Sequence, residues 1–248
     1  MNTPPDAEVT SDRIITEQGL APCSWQFPHP SEADSNGLVA IGGDLEAQTL
    51  IWAYCHGLFP MPLGRRRRLG WWSPEPRAVL SLDALRRTRS LTRSLRRFEV
   101  RVDTSFEAVM RACSDPRRPH GWITEDFVAA YVELHRRGFA HSVEAFQNGE
   151  LVGGLYGVMI GGLFAGESMF QRSTDASKVA LVALVDLLNE IPDALLDVQW
   201  LTPHLASLGA TEIPRPDYLT LLAASIARPT TELAALSVDR ASRLPRAP

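Results

Sequence analysis

Lysine is nearly absent from this 248-residue chain, where Lys178 is the only one, and cysteine is scarce. Each shortage excludes something. Cys23, Cys55 and Cys113 are odd in number and widely spaced, which gives neither a disulfide framework nor a zinc pattern. They read as reduced thiols of a cytoplasmic protein. No His, Cys or Asp cluster has ligand spacing, so no metal is expected. The first residues lack a basic stretch followed by an apolar one, so no secretory signal is expected. The one long apolar run, LVGGLYGVMIGGLFAGESMF (151–170), holds Glu167 near its end. Its uncharged part is shorter than the roughly 20 residues a spanning helix needs, and glycine recurs through it, so no membrane association is expected. There is no P-loop, no G-x-G-x-x-G and no H-E-x-x-H. His120, His135, His141 and His204 have no nucleophile in a suitable context and read as structural or solvent-facing. An enzyme built this way needs a substrate that arrives already activated, and no cofactor is expected.

Charge is present but unevenly placed. The formal net charge is −4, yet residues 1–50 hold a single arginine, Arg13. From Arg65 to Arg137 the chain is strongly basic, with Arg65, Arg66, Arg67 and Arg68 in one run and the pairs Arg86-Arg87, Arg96-Arg97, Arg117-Arg118 and Arg136-Arg137. Such asymmetry suits a polyanion; charge alone fits solvated helix faces equally well. Trp71 and Trp72 in WWSPEPR (71–77), Trp122 in HGWIT (120–124), Tyr54 and Tyr131 add aromatic rings. Rings beside arginines suit a single-stranded RNA end, although packing is the commoner role for at least one tryptophan.

The pattern predicts an α+β protein in two modules. Residues 1–22 read as a loose polar leader. A strand is predicted at Leu38–Ile41 and a helix from Glu46 to His56, ended by Gly57. FPMPLGRRRRLGWW reads as a boundary near residue 72, with a small module over 1–72, a larger domain over 73–231 and a weak tail over 232–248. Within the larger domain, AVLSL starts a strand, Leu91–Arg97 is helix-like, Phe98–Val102 is a strand and Phe106–Ala112 a helix. Phe127, Ala130, Tyr131 and Leu134 give Glu125–Arg137 a helical period. Asn148-Gly149 and Gly161-Gly162 are turn signals that divide the following residues into an antiparallel meander, with strands at about 151–159 and 163–170. Asp175 is a candidate cap for a helix carrying Val179, Leu181, Val182, Val185 and Leu188. A strand over 194–201 follows, then a short helix framed by Thr202, Pro203 and Gly209, and another over Asp217–Ile226. No apolar seam is left over, so a monomer is expected.

Alternation in the last strand puts Asp197 and Gln199 on one face, about 7 Å apart, and Leu196, Val198 and Trp200 on the other. In 163–170 it puts Leu163, Ala165, Glu167 and Met169 on one face. With a crossover helix between neighbouring strands, Glu167, Asp197 and Gln199 converge on one cleft. Each acid alone is more often a loop cap or an arginine partner; three at strand positions around one crossover favour a site.

Several blocks, in order, resemble the leucyl/phenylalanyl-tRNA–protein transferases: NGLVAIGGDL (36–45), AYCHGLFP (53–60), WWSPEPRAVL (71–80), WIT (122–124), AHSVE (140–144), LVGGLYGV (151–158), GESMF (166–170), TDASKVAL (174–181), LTPHLASLGA (201–210) and EIPR (212–215). The resemblance spans about residues 20–225. It implies a small N-terminal module joined to a GNAT-like acyltransferase domain. The implied reaction moves Leu or Phe, less readily Met, from aminoacyl-tRNA to the α-amine of proteins beginning with Arg or Lys, which marks them for N-end rule degradation in bacteria. Carried over by position, Asp197 and Gln199 are the catalytic pair. Glu167, Ser168, Met169 and Leu155 wall the aminoacyl pocket, and Trp122, Tyr131 and Tyr54 meet the RNA end or the acceptor peptide. Independently of the resemblance, the basic run and its neighbouring rings put Arg65, Arg66, Arg67, Arg68, Trp71, Trp72 and Arg77 at the tRNA. One departure stands out: Met61-Pro62 follows Phe59-Pro60, where the family often has an aromatic pair. Two alternatives stay open. A CoA-dependent N-acetyltransferase is disfavoured by the absence of glycine from Gln171–Ala176; a non-enzymatic RNA-binding module leaves Asp197 and Gln199 without a role.

Overall fold

The computed structural model describes residues 5–64, 66–115, 121–229 and 233. It is a mixed α+β structure with two sheets. The first third contains helix α1 (Pro5–Glu17), strand β1 (Leu38–Ile41), helix α2 (Ala47–Cys55) and strands β2 (Phe59–Leu63) and β3 (Arg68–Trp72). The three strands form an antiparallel sheet in the order β1-β3-β2.

The remainder runs through β4 (Arg77–Val79), α3 (Arg89–Ser94), β5 (Glu99–Val102), α4 (Phe106–Cys113), α5 (Glu125–Arg136), β6 (Ala140–Gln147), β7 (Glu150–Ile160), β8 (Leu163–Gln171), α6 (Ala176–Leu188), β9 (Leu195–Gln199), α7 (Pro203–Leu208), β10 (Thr211–Ile213) and α8 (Arg215–Ile226). Its strands lie in the order β10-β4-β9-β8-β7-β6-β5. Every pair is antiparallel except β8 with β9. Parallel neighbours need a crossover, and α6 is that crossover. It is buried along most of its surface, hence the dense run of Val, Leu and Ala. Gly153 of β7 admits its first turn: a Cβ there would stand 2.4 Å from the Ala176 Cβ.

The hairpin expected at Asn148-Gly149 joins β6 to β7, with both residues at positive φ (53° and 80°). The turn at Gly161-Gly162 joins β7 to β8. In α7, Thr202 Oγ1 accepts the Leu205 N–H, and Gly209 at φ 112° ends the helix, as its sequence predicts.

Three local expectations are corrected. The leader is helical from Pro5, because Ile14 and Ile15 are buried where α1 packs on α2 and α8. FPMPLGRRRRLGWW, read only as marking a boundary near residue 72, holds the paired strands β2 and β3; Pro60 and Pro62 are tolerated because β2 is an edge strand. Asp175 makes no side-chain cap; it sits at φ 69° and accepts from Ser94 Oγ (2.9 Å) and Lys178 Nζ (3.0 Å). Arg65, Arg117, Arg118, His120 and, apart from Leu233, the expected 232–248 tail lie outside the described residues.

Candidate active site

The cavity arises where two strands part. The pairing of β8 with β9 runs only through Leu163–Leu195, Phe164–Leu196 and Ala165–Asp197. Past that point lies a cavity of about 310 Å³. Phe164, Gly166, Glu167, Ser168 and Met169 form one side, and Leu196, Val198, Gln199 and Trp200 the other. Leu155 of β7 and Leu181 and Leu184 of α6 close it with apolar surface. Phe59, Pro60 and Met61 of β2 and Trp122 line it from the N-terminal side, and Thr202, His204 and Leu205 from α7. An apolar chamber with a few polar groups is the ordinary make-up of a small-ligand site.

The two polar residues of β9 do not face it together. Val79 of β4 pairs with Asp197, and Ala78 with Gln199, so Val198 is an extra residue in β9 and the simple alternation fails. Asp197 is fully buried behind the cavity wall. Its carboxylate accepts from Arg77 Nε (2.9 Å) and Nη2 (2.6 Å) and from Tyr218 Oη (3.0 Å). Arg77 also donates to the Gly57 carbonyl at 3.0 Å and lies against the rings of Phe59 and Tyr218. Burial pulls the guanidinium down from its ordinary value, and the Asp197 charge more than reverses this, leaving it raised. Tyr218 has no signal in the sequence, and Arg77 is expected there at the RNA.

Asp197 acts on Gln199 through the backbone. Its Oδ1 accepts the Gln199 N–H at 3.0 Å, an Asx-type turn. Trp200 N–H donates to the Val198 carbonyl at 2.8 Å, so the chain closes tightly around Gln199, which sits at φ 57°. Left-handed backbone costs a non-glycine residue about 1–2 kcal/mol. Gln199 lines the cavity, and its Nε2 is buried and has no hydrogen-bond partner. An unpaired buried amide costs about 1–3 kcal/mol more. Two local penalties thus fall on one residue of the cavity wall, the kind of strain that clusters at functional sites.

Glu167 is reached by a similar irregularity. Tyr156 pairs with Ser168 and Gly157 with Gly166, so Glu167 is an extra residue in β8. The face expected for Leu163, Ala165, Glu167 and Met169 is therefore broken: Leu163 and Ala165 join the core on the side of α4 and α8, and Met169 packs on the α6 side with Phe164. Glu167 stands at the break, at the cavity wall. Tyr54 Oη donates to its Oε1 at 2.6 Å, and Tyr131 Oη lies 2.5 Å from Tyr54 Oη and 3.5 Å from Oε2. Removal from water raises the Glu167 carboxyl to about 8; the Asp197 charge adds to the rise, and Tyr54, Tyr131 and Arg77 oppose it.

A family model described as leucyl/phenylalanyl-tRNA protein transferase matches residues 79–223, and its N-terminal-domain counterpart matches 43–75. The leucyl/phenylalanyl-tRNA–protein transferase of Thiobacillus denitrificans is 53% identical over 194 residues, covering 77% of this chain and 85% of that one. Those of Syntrophobacter fumaroxidans (51%; 81% and 87% covered) and Pseudomonas fluorescens (50%; 83% and 93% covered) are similarly close. The chain belongs to the leucyl/phenylalanyl-tRNA–protein transferase family. Among solved structures, L-PGS from Bacillus licheniformis is a remote likeness, with a TM-score of 0.33, 16% identity, and 65% of this chain and 55% of that chain covered.

Within this family member, the residues expected at tRNA divide in two. Arg66, Arg67 and Arg68 are exposed on the β2–β3 hairpin, and Arg67 Nη2 donates to the Gly121 carbonyl at 3.1 Å. Trp71, Trp72 and Arg77 are not surface groups. Trp71 is fully buried, its Nε1 donating to the Gly42 carbonyl at 2.8 Å; Trp72 donates to the Met61 carbonyl and packs edge-on against Trp200. Trp72 thus ties the N-terminal sheet to the end of β9, while Trp71 packs against Phe27 within the N-terminal part. Tyr54 and Tyr131, expected at substrate, are buried behind Glu167. Trp122, Leu155, Glu167, Ser168, Met169 and Gln199 line the cavity. His204, expected to be structural or solvent-facing, is exposed and also lines it; partial burial, followed by the Lys178 charge, lowers its imidazole. No helix among the described residues is long and apolar enough to cross a membrane.

Proposed function

We propose that this enzyme transfers a leucyl or phenylalanyl group, less readily methionyl, from aminoacyl-tRNA to the α-amine of proteins beginning with Arg or Lys, in the cytoplasm, marking them for N-end rule degradation. The observation that carries the reading is the pairing of an apolar chamber with two polar groups at its wall, one of them the unpartnered Gln199 amide. The donor's aliphatic or aromatic side chain fills the space between β8 and β9. Glu167 receives its α-ammonium, and Gln199 faces the ester carbonyl.

An aminoacyl ester is already activated, so the protein supplies no nucleophile. The acceptor's neutral α-amine attacks the ester carbon, a tetrahedral intermediate forms, and the C–O bond to the terminal ribose breaks. The amine's proton leaves as the ribose oxygen gains one. Holding the two substrates in register is the first contribution. A hydrogen bond from Gln199 to the developing oxyanion is the second, of a kind worth about 10²–10³ in rate. Asp197 does not touch the reactants; it orients Gln199 through the backbone and is itself fixed by Arg77.

The exposed Arg66–Arg68 hairpin supports a path for tRNA phosphates leading away from the cavity. A GNAT-like description of the larger domain is supported by its antiparallel meander, β5 to β8, followed by the α6 crossover to a parallel, splayed β9. We place the small module at 1–72, the acyltransferase domain at 73–231 and a tail at 232–248, and expect a monomer without cofactor. The acetyl-CoA alternative is not favoured: Asp175 stands at the start of α6, where a pyrophosphate would need amide groups and no acid.

The test is transfer of labelled leucine from Leu-tRNA to a peptide beginning with Arg. Label in the peptide, with no requirement for acetyl-CoA, is the expected result. Binding of Leu-tRNA without transfer, or a requirement for acetyl-CoA, overturns the reading.

A further inference from the structure

Tyr54 and Tyr131 come from different parts of the molecule, α2 and α5, yet their phenol oxygens meet at 2.5 Å beneath Glu167. Neither lines the cavity, and both are almost wholly buried. We propose that the two tyrosines are positioning residues, which orient the Glu167 carboxyl toward the donor's α-ammonium and ease its ionisation, rather than groups that meet RNA or acceptor peptide. The inference rests on the aminoacyl-transfer reading above.

Each phenol has one hydrogen to donate, and Glu167 Oε1 accepts whether the acid is charged or neutral. Tyr54 donates to Oε1 across 2.6 Å, and Tyr131 donates to Tyr54 across 2.5 Å, so both hydrogens are placed in short bonds and the carboxyl is fixed in position. A donated hydrogen bond is stronger to a carboxylate than to a neutral acid, so the pair eases ionisation against the burial that opposes it. The groups around Glu167 are few. Arg77 of β4 assists the charge, and Asp197 of β9 resists it. Tyr218 of α8 is engaged by Asp197 and Arg77. Tyr156 of β7 and His204 of α7 share the cavity wall.

The test uses full-length enzyme and its Tyr54→Phe, Tyr131→Phe and Glu167→Gln variants. The pH dependence of donor KM, with Leu-tRNA, is measured alongside kcat and thermal stability. The wild type has an ionisation in donor KM that Glu167→Gln abolishes. Tyr54→Phe moves that ionisation upward by about one pH unit or more, because it removes a hydrogen bond to a charged group. Tyr131→Phe moves it the same way by less, and donor KM rises more than kcat falls. A Tyr54→Phe enzyme that melts earlier but keeps the wild-type profile overturns the proposal, as does an unshifted profile in Tyr131→Phe should Tyr54→Phe not fold. Absence of the ionisation in the wild type, or its persistence in Glu167→Gln, defeats the assignment of Glu167 to the donor instead.

Discussion

Gln199 bears a left-handed backbone and an orphaned amide together, and both are relieved by one substitution. Gln199→Gly is expected to leave the melting temperature unchanged or higher, since glycine adopts that φ freely, while transfer falls by about 10²–10³. A calorimetric scan beside the transfer assay checks it, and unimpaired transfer means that Gln199 has no part in the chemistry. Asp197 behaves oppositely. Asp197→Ala strands the buried Arg77 charge and is expected to lower stability by about 3–5 kcal/mol in urea unfolding. Loss of activity in that variant therefore reports folding as much as catalysis. Glu167 predicts a pH effect of defined sign. Its carboxyl titrates near 4.5 in an unfolded chain and near 8 in the fold, so across that window the folded enzyme binds more protons and its stability declines as pH rises. Glu167→Gln should remove that slope from unfolding curves taken between pH 5 and 8, about the span of the shift; an unchanged slope assigns it to another group.

At the scale of elements, the site depends on where regular pairing stops. The bulges at Val198 and Glu167 and the early end of the β8–β9 ladder turn a flat sheet into a chamber. The elements themselves were largely legible. Asn148-Gly149, Gly161-Gly162 and the Thr202-Pro203…Gly209 frame carry their own local conformations, and the amphipathic period of α5 needed no partner to be seen. The bulges were not legible, because a strand inserts a residue in response to its neighbour's register rather than to its own sequence. Alternation alone consequently turned Asp197 toward the cavity and hid its ion pair with Arg77. Likewise β2 was masked by Pro60 and Pro62, whose cost vanishes only at a sheet edge. Close packing of α6 on β7 yields a further prediction. Gly153→Ala forces a Cβ against Ala176 and should destabilise by about 1–3 kcal/mol in chemical denaturation; a neutral result means that α6 sits further from the sheet.

At the scale of the whole molecule, the N-terminal elements complete the site: Phe59, Pro60 and Met61 line the cavity, and α2 supplies Tyr54. The same elements present the arginine hairpin to solvent. Replacing Arg66, Arg67 and Arg68 by Ala should weaken tRNA binding and flatten its salt dependence, by about 0.7–0.9 in log–log slope for each phosphate that is no longer neutralised. An unaltered slope would make the hairpin a solvated loop. Function turns above all on what occupies the gap between β8 and β9. The most direct measurement is a structure of the enzyme bound to a non-hydrolysable leucyl-amide of adenosine. The leucyl side chain should lie among Leu155, Phe164, Leu181 and Leu196, with its ammonium on the Glu167 carboxylate and its carbonyl facing Gln199. A leucyl group lying outside this chamber, with Glu167 and Gln199 untouched, would contradict it.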